Sequence, residues 1–186
     1  MKAYNEQDHR EALLLRRLKF LLSYPSALIQ SLPNKKAFRE VILEKLRHPP
    51  WEMMKKSKDY DDWLCSLVKA DCWQPFAART LERERWGVFA NILNIALYEI
   101  LWCRELTTEE EWRRIHPWLH LPLDDHVMEH LHQLDPAMFP SSSWLPSNVT
   151  EERYMKVQRA ARVLASRLKQ PAIWFEDAWS LYNKGA

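Results

Sequence analysis

An all-α fold is predicted by this sequence: an irregular bundle of about seven to nine helices around a central apolar helix at about residues 86–103. Apolar residues recur at the three- and four-residue spacings of amphipathic helices along most of the chain, and no segment shows the strict alternation of a half-buried strand. Only 2 glycines are present, which leaves few residues for tight hairpin turns, whereas 11 prolines divide the chain into separate segments.

The first third of the chain predicts three amphipathic helices. Leucines at positions i, i+4, i+7 and i+8 define the first over residues 8–22, and Pro25 ends it. Asn34 is a typical N-cap residue for the second helix, which ends before Pro49, and Asp59 begins the third. The apolar faces of the three helices are Leu14, Leu18, Leu21 and Leu22, then Phe38, Val41, Ile42 and Leu46, then Tyr60, Trp63, Leu64, Leu67 and Val68.

The most apolar segment runs from Val88 to Cys103 and predicts the central helix. Apolar residues occur on nearly every side of it, which is typical of a helix surrounded by other elements. Asn91, Asn94 and Glu99 interrupt it, so the segment predicts a buried core helix and not a membrane span.

Two shorter helices follow the central one. A capping box that begins at Thr107 or Thr108 starts the first of them, and Pro117 ends it. Asp124 caps the second, which ends at Pro136.

The C-terminal part of the chain predicts a linker and a pair of helices. Residues 140–150 are rich in Ser and Pro, which is typical of a linker. Residues 151–186 then contain a helix with a heptad-like apolar seam and a final aromatic helix that opens at Pro171. We therefore expect a helical core domain over residues 1–139 and a C-terminal helical pair docked on it as one structural unit.

Composition excludes several classes of site. Gly87 and Gly185 are too few for the glycine-rich loops that hold phosphates or dinucleotides, and we expect no cofactor. Three cysteines do not form a disulfide framework or a Cys-rich zinc site, so we expect reduced, buried thiols. Charged residues interrupt the only apolar stretch near residue 14, so the sequence predicts no signal peptide and a cytoplasmic protein.

Charge is segregated along the chain. Residues 1–58 carry 13 Lys and Arg against 6 Asp and Glu, residues 59–152 carry 7 against 17, and residues 153–186 carry 7 against 2. The helix at 153–169 has a basic face, which either binds nucleic acid or an acidic partner or remains a solvated face. Its members are Arg153, Lys156, Arg159, Arg162, Arg167 and Lys169.

A possible metal motif lies in the helix after Asp124. The segment from His126 to His130 matches the H-x-x-E-H form of an inverted zinc-protease motif, in which the two histidines share a zinc ion and Glu129 activates water. A catalytic zinc needs a third protein ligand, and the pattern supplies none. We therefore predict no metal site.

Arg114 followed by His120 forms a second pattern. An Arg and a His at this separation resemble the active-site signature of HEPN-type RNases, which are small, all-α and often dimeric. The resemblance implies that Arg114 and His120 act on the 2′-hydroxyl and phosphate of an RNA substrate.

The 10 tryptophans exceed what a core of this size requires. Three of them lie on apolar helix faces and are expected in the core: Trp63, Trp86 and Trp102. Trp118 follows a helix break, and Trp144 and Leu145 lie in the Ser/Pro linker. Aromatic residues at such positions either pack back onto the domain or anchor a partner, since Trp is enriched among binding hot spots.

The absence of a catalytic pattern favours a non-enzymatic function. We expect a helical adaptor, assembly factor or small subunit of a bacterial multiprotein complex that binds a protein partner. Two alternatives stay open: a nucleic-acid-contacting accessory subunit that uses the basic helix 153–169, and a HEPN-like RNase that uses Arg114 and His120.

Overall fold

The computed structural model describes residues 5–21, 30, 32–78, 80–140 and 149–175. Within these ranges the chain forms eight α-helices and no strand, which confirms the predicted all-α bundle. The helices are α1 (Glu6–Leu21), α2 (Lys35–Leu46), α3 (Ser57–Val68), α4 (Leu81–Glu84), α5 (Ala90–Trp102), α6 (Glu109–Ile115), α7 (Asp125–Leu134) and α8 (Glu151–Arg167). Three 3₁₀ segments lie between them, at Trp51–Met53, Asp71–Phe76 and His116–Trp118.

Side-chain caps define where several helices begin, as the sequence predicts. Asn34 adopts a left-handed conformation with φ 47° and accepts a hydrogen bond from the backbone N–H of Ala37. Thr108 and Glu111 form a reciprocal capping box at α6. Helix α3 begins at Ser57 and not at Asp59, because the Asp59 carboxylate accepts hydrogen bonds from two backbone N–H groups that precede the helix.

The central element of the bundle is a continuous buried segment. Residues Arg85–Phe89 form a π-helical turn that leads directly into α5, and both parts lie almost entirely in the core. Helices α1 and α2 pack against each other, and α1 also packs against α5. The prediction of a central apolar helix is confirmed, and no helix in the described ranges is long and apolar enough to cross a membrane.

An extended segment, Leu119 to Asp124, crosses the interior between α6 and α7. Buried backbone without helix or sheet partners needs other hydrogen bonds. Gln158 of α8 supplies two, because its side chain accepts from the N–H of Leu121 at 2.9 Å and donates to the carbonyl of the same residue at 2.8 Å. Asn91 of α5 accepts the N–H of Leu123. The segment is thereby fixed to helices on both sides.

The C-terminal part of the chain is described as far as Phe175. Helix α8 contacts the core through the buried residues Tyr154, Gln158 and Ala161. Most of the predicted linker, 141–148, and most of the predicted last helix, from 176 onward, lie outside the described residues. The division into a core domain and a docked helical pair stays a prediction.

Candidate functional site

Five polar side chains from four parts of the chain meet inside the bundle, and we call them the polar hub: Asp61, Asn94, His120, Tyr154 and Arg162. Asn94 donates from Nδ2 to the Tyr154 hydroxyl at 2.8 Å, and this hydroxyl lies 2.9 Å from His120 Nδ1. His120 Nε2 lies 2.8 Å from an Asp61 carboxylate oxygen. For a neutral imidazole, the Nε2–H donates to Asp61, because a carboxylate only accepts, and the Tyr154 hydroxyl then donates to Nδ1.

Arg162 closes the hub on the side nearest solvent. Its two terminal nitrogens donate to the two Asp61 oxygens at 3.0 and 2.7 Å, the bidentate geometry of a strong ion pair. One of them also donates to the backbone carbonyl of Trp118. The side chains of Arg162 and Asp61 are 19% and 16% exposed, so the pair is largely removed from water. Arg162 therefore differs from four other basic-face residues, which are exposed: Lys156, Arg159, Arg167 and Lys169.

The electrostatics of the hub follow from this burial. Burial lowers the pKa of His120, and the hydrogen bond to Asp61 only partly opposes that effect. Burial raises the pKa of Asp61, but hydrogen bonds from His120 and Arg162 outweigh it and hold the pKa at about 2. The hub therefore holds an ionised Asp61, a charged Arg162 and a neutral His120 at pH 7.

The hydrogen bonds of the hub join separate elements of the fold. The His120 side chain is 0% exposed, and each of its ring nitrogens has a protein partner. A general acid or base must reach a substrate proton within hydrogen-bond distance, and this imidazole offers no such approach. Through His120 and Trp118, the hub joins α3, α5 and α8 to the buried segment between α6 and α7.

The two residues of the RNase-like pattern have different partners. Arg114 donates to the backbone carbonyl of Trp51 at 3.1 Å and lies 3.5 Å from the Glu110 carboxylate. His120 belongs to the polar hub. These hydrogen bonds do not bring the two side chains to a common surface where both could contact one phosphate.

Three of the residues singled out from the sequence do come together. Trp118, Arg162 and Lys169 line an open groove of about 460 Å³ at the C-terminal end of α8, with Ser57 and Gln170 as polar neighbours. Trp118 is half-buried there, packed against the core. Trp144 and Leu145, the other two residues predicted to bind a partner, lie outside the described residues.

A second groove lies between α7 and α8, and we call it the methionine groove. Its volume is about 380 Å³. Apolar side chains form its walls, and two basic residues of α8, Arg153 and Lys156, lie at its rim. The apolar residues are Met128, Ala137, Met138, Phe139, Pro140, Val157 and Ala160. It combines an apolar interior with a basic edge.

The other basic-face residues lie on the outer side of α8. Arg159 is exposed and donates to the backbone carbonyl of Met155 at 3.2 Å. Arg167 is also exposed and lies 3.4 Å from the Asp135 carboxylate. The predicted basic face is thus divided among two grooves, an outer surface and a buried ion pair.

The described cysteines have no feature of a reactive thiol. Burial raises the pKa of Cys65 to about 11 and also raises the pKa of Cys72. Cys103 is buried, and all three are free thiols. Cys65 and Cys72 are only half-buried, so the expectation of buried thiols is met fully by Cys103 alone.

The neutral, buried His120 predicts a pH-dependent stability. The unfolded chain takes up a proton at this residue near pH 6.5. In the folded state the pKa of His120 is lower, so the folded protein resists this protonation. Stability contributed by His120 is therefore full above about pH 6.5 and is lost as the pH falls below it, by at most about 1.4 kcal/mol per pH unit. Urea unfolding between pH 7.5 and 5 should show this loss.

His120→Gln provides the matched variant, because glutamine can donate to Asp61 but does not titrate. We expect this variant to be less stable at pH 7.5 and to lose less stability between pH 7.5 and 5. An equal loss of stability between pH 7.5 and 5 in both proteins would contradict the assignment of a neutral buried imidazole.

Sequence reasoning singled out His120 and Arg162 but assigned both to other roles, and it noted Asn94 only as an interruption of the apolar central helix. No local pattern marks Asp61, because it lies beside Asp62 in an exposed-looking helical turn. Met138 and Phe139 of the methionine groove lie in a turn after α7, where helical periodicity makes no prediction. Comparison with protein-family models, with curated proteins and with solved structures found no match to this chain.

Proposed function

We propose that the protein is a non-enzymatic helical adaptor or small subunit of a multiprotein complex. In this proposal the methionine groove holds an acidic segment of a partner protein, anchored by an apolar side chain. The observation that carries it is the groove itself, which places an apolar cavity beneath two cationic side chains, Arg153 and Lys156.

The apolar interior of the groove suits a buried anchor residue. A volume of about 380 Å³ is within the range of pockets that bury ligands. Met128 and Met138 supply flexible, polarisable side chains, which adapt to irregular apolar partners and are common at protein-binding surfaces. Phe139 is almost fully buried and gives the groove a fixed wall.

The rim of the groove sets the charge of the partner. Arg153 and Lys156 are three residues apart on α8 and therefore lie on the same face, one turn apart. Arg159 continues this basic row along the exposed side of the helix. An acidic partner segment would be steered to such a surface, and a basic one would be repelled.

The polar hub also supports a non-enzymatic function. His120, whose pKa is lowered by burial, is fully buried. Both of its ring nitrogens are hydrogen-bonded to protein, which supports a structural role. Trp118, Trp144 and Leu145 stay predicted partner-binding residues. Trp118 lies in the other groove, which Arg162 also lines.

The test is selection of peptides from a random display library on immobilised protein. We expect enriched sequences to combine large apolar residues with Asp and Glu, and to weaken as salt is raised. Lys156→Glu should lower affinity for a selected peptide by about tenfold or more, equivalent to roughly 1.4 kcal/mol. Ala160→Phe, which fills the groove without a change of charge, should cause a similar loss.

Lys36→Glu is the control, because it makes the same charge reversal on an exposed position of α2. It should leave peptide affinity within about twofold. Peptides that are basic, or that bind equally to the Lys156→Glu and Ala160→Phe variants, would reject the groove as the partner site. Low-salt binding of a DNA or RNA oligonucleotide that Lys156→Glu abolishes, with no peptide enriched, would favour the nucleic-acid alternative.

A further inference from the structure

Two histidines converge on one side of α7. His126 and His130 are one helical turn apart, and their Nε2 atoms lie 3.2 Å from each other. Their rings are nearly perpendicular, with an interplanar angle of 83°. Both side chains are half-buried, whereas Val127 and Leu131 direct the opposite side of the helix into the core.

This arrangement matches the separation of two ligands of one metal ion. Zinc binds imidazole nitrogen at about 2.0–2.1 Å, and a tetrahedral angle then places two ligand nitrogens about 3.3–3.4 Å apart. The observed Nε2–Nε2 distance of 3.2 Å is close to this value. The ring centroids, 4.4 Å apart, have to separate for both lone pairs to point at one ion. Helical zinc motifs also hold their metal with two histidines at positions i and i+4 on one helix face.

We propose that His126 and His130 bind one divalent first-row metal ion, zinc in particular, through their Nε2 atoms, with water in the remaining positions. No group of three or more His, Cys, Asp or Glu side chains in the described part of the chain could hold a metal. This proposal departs from the prediction of no metal site, which considered a catalytic zinc with three protein ligands. A site with two protein ligands is exchangeable, unlike a structural or catalytic zinc site. It is independent of the methionine groove and of the proposed function.

The proton balance of binding follows from the hydrogen bond in the metal-free pair. One imidazole donates its Nε2–H to the Nε2 lone pair of the other. A metal ion needs both lone pairs, so the donating ring moves its Nε2 proton to its own Nδ1 or releases it to solvent.

The test is calorimetric titration of the full, chelator-treated and untagged chain with zinc chloride at pH 7.5. We expect one zinc per chain, and a rise in melting temperature that grows with zinc concentration. His130→Gln and His126→Gln keep a polar side chain but remove one ligand, and each should weaken binding by about tenfold or more. His48→Ala removes an exposed histidine elsewhere and should leave binding unchanged.

Two results would overturn the proposal. One is the absence of a zinc-dependent heat and of a shift in melting temperature in the unsubstituted protein. The other is zinc affinity in both glutamine variants equal to that of His48→Ala, which would place the metal elsewhere. Circular dichroism of the zinc-free variants establishes that each is folded, so a loss of binding reports the missing ligand.

Discussion

Replacement of Asp61 by alanine is expected to reduce the free energy of unfolding by about 3–5 kcal/mol, the cost of breaking a buried ion pair by removal of one partner. Its carboxylate is the acceptor for both Arg162 terminal nitrogens and for the Nε2–H of His120. Without it, a guanidinium that is 19% exposed and a fully buried imidazole lose their acceptor. Urea unfolding at pH 7 measures the effect. The comparison requires that the slope of the unfolding free energy against urea concentration is the same in both proteins.

Asp62→Ala is the control for this experiment. Asp62 is the next residue, but its side chain is 65% exposed and its ion pair with Lys58 joins positions i and i+4 on the helix surface. Such surface pairs contribute about 0.5 kcal/mol or less. An Asp61→Ala protein that is no less stable than Asp62→Ala would show that the hub does not stabilise the fold.

The positions of the helices could be predicted from the sequence because their signals are local. Asn34, Thr108 and Asp124 each cap a helix through a backbone N–H three residues away. The apolar positions of α1 and α5 likewise recur within one or two turns, so a short window of sequence contains the whole pattern. These local signals account for the confirmed fold class.

The polar hub could not be predicted, because its contacts are distant in the chain. Asp61 and Arg162 are 101 residues apart, and Asn94 and Tyr154 are 60 apart. In the sequence Arg162 is one of six basic residues on the same helix and does not differ from Arg159. Only the packing of α8 against α3 places one of them inside and leaves the other in solvent.

The methionine groove depends on a turn that periodicity does not describe. The chain leaves α7 at Asp135 and turns back, so that the carbonyl of Phe139 lies 2.8 Å from His132 Nδ1. This return places Met138 and Phe139 against α8. The sequence predicted where α7 ends, but it could not predict that the following residues form a wall of a cavity.

The burial of the tryptophans could also be predicted only in part from local sequence patterns. Trp63 and Trp86 pack in or against the core as expected. The prediction that Trp102 lies in the core is wrong, because its side chain is 42% exposed. It is the last residue of α5, where the chain leaves the interior, and its ring contacts Tyr98 and Trp112 near the surface.

Trp73→Ala should be among the most destabilising substitutions in the chain, with an expected loss of about 3–5 kcal/mol, as for other buried tryptophans. Trp73 is 0% exposed, and its ring stacks on Phe89 with centroids 6.0 Å apart. Its Nε1–H donates to the backbone carbonyl of Leu67 at 2.8 Å, at the C-terminal end of α3. Alanine would remove both contacts, leave a cavity and deprive that carbonyl of its donor.

Trp102→Ala is the comparison, because it removes the same side chain from a partly exposed position. We expect it to cost about 1 kcal/mol, since much of the ring already faces water. Chemical unfolding of both variants, followed by circular dichroism, measures the difference. Equal losses would contradict the placement of Trp73 in the core and Trp102 at the surface. A large loss confined to Trp73→Ala would establish that the buried contacts of Trp73 with Phe38 and Phe89 are a main source of stability.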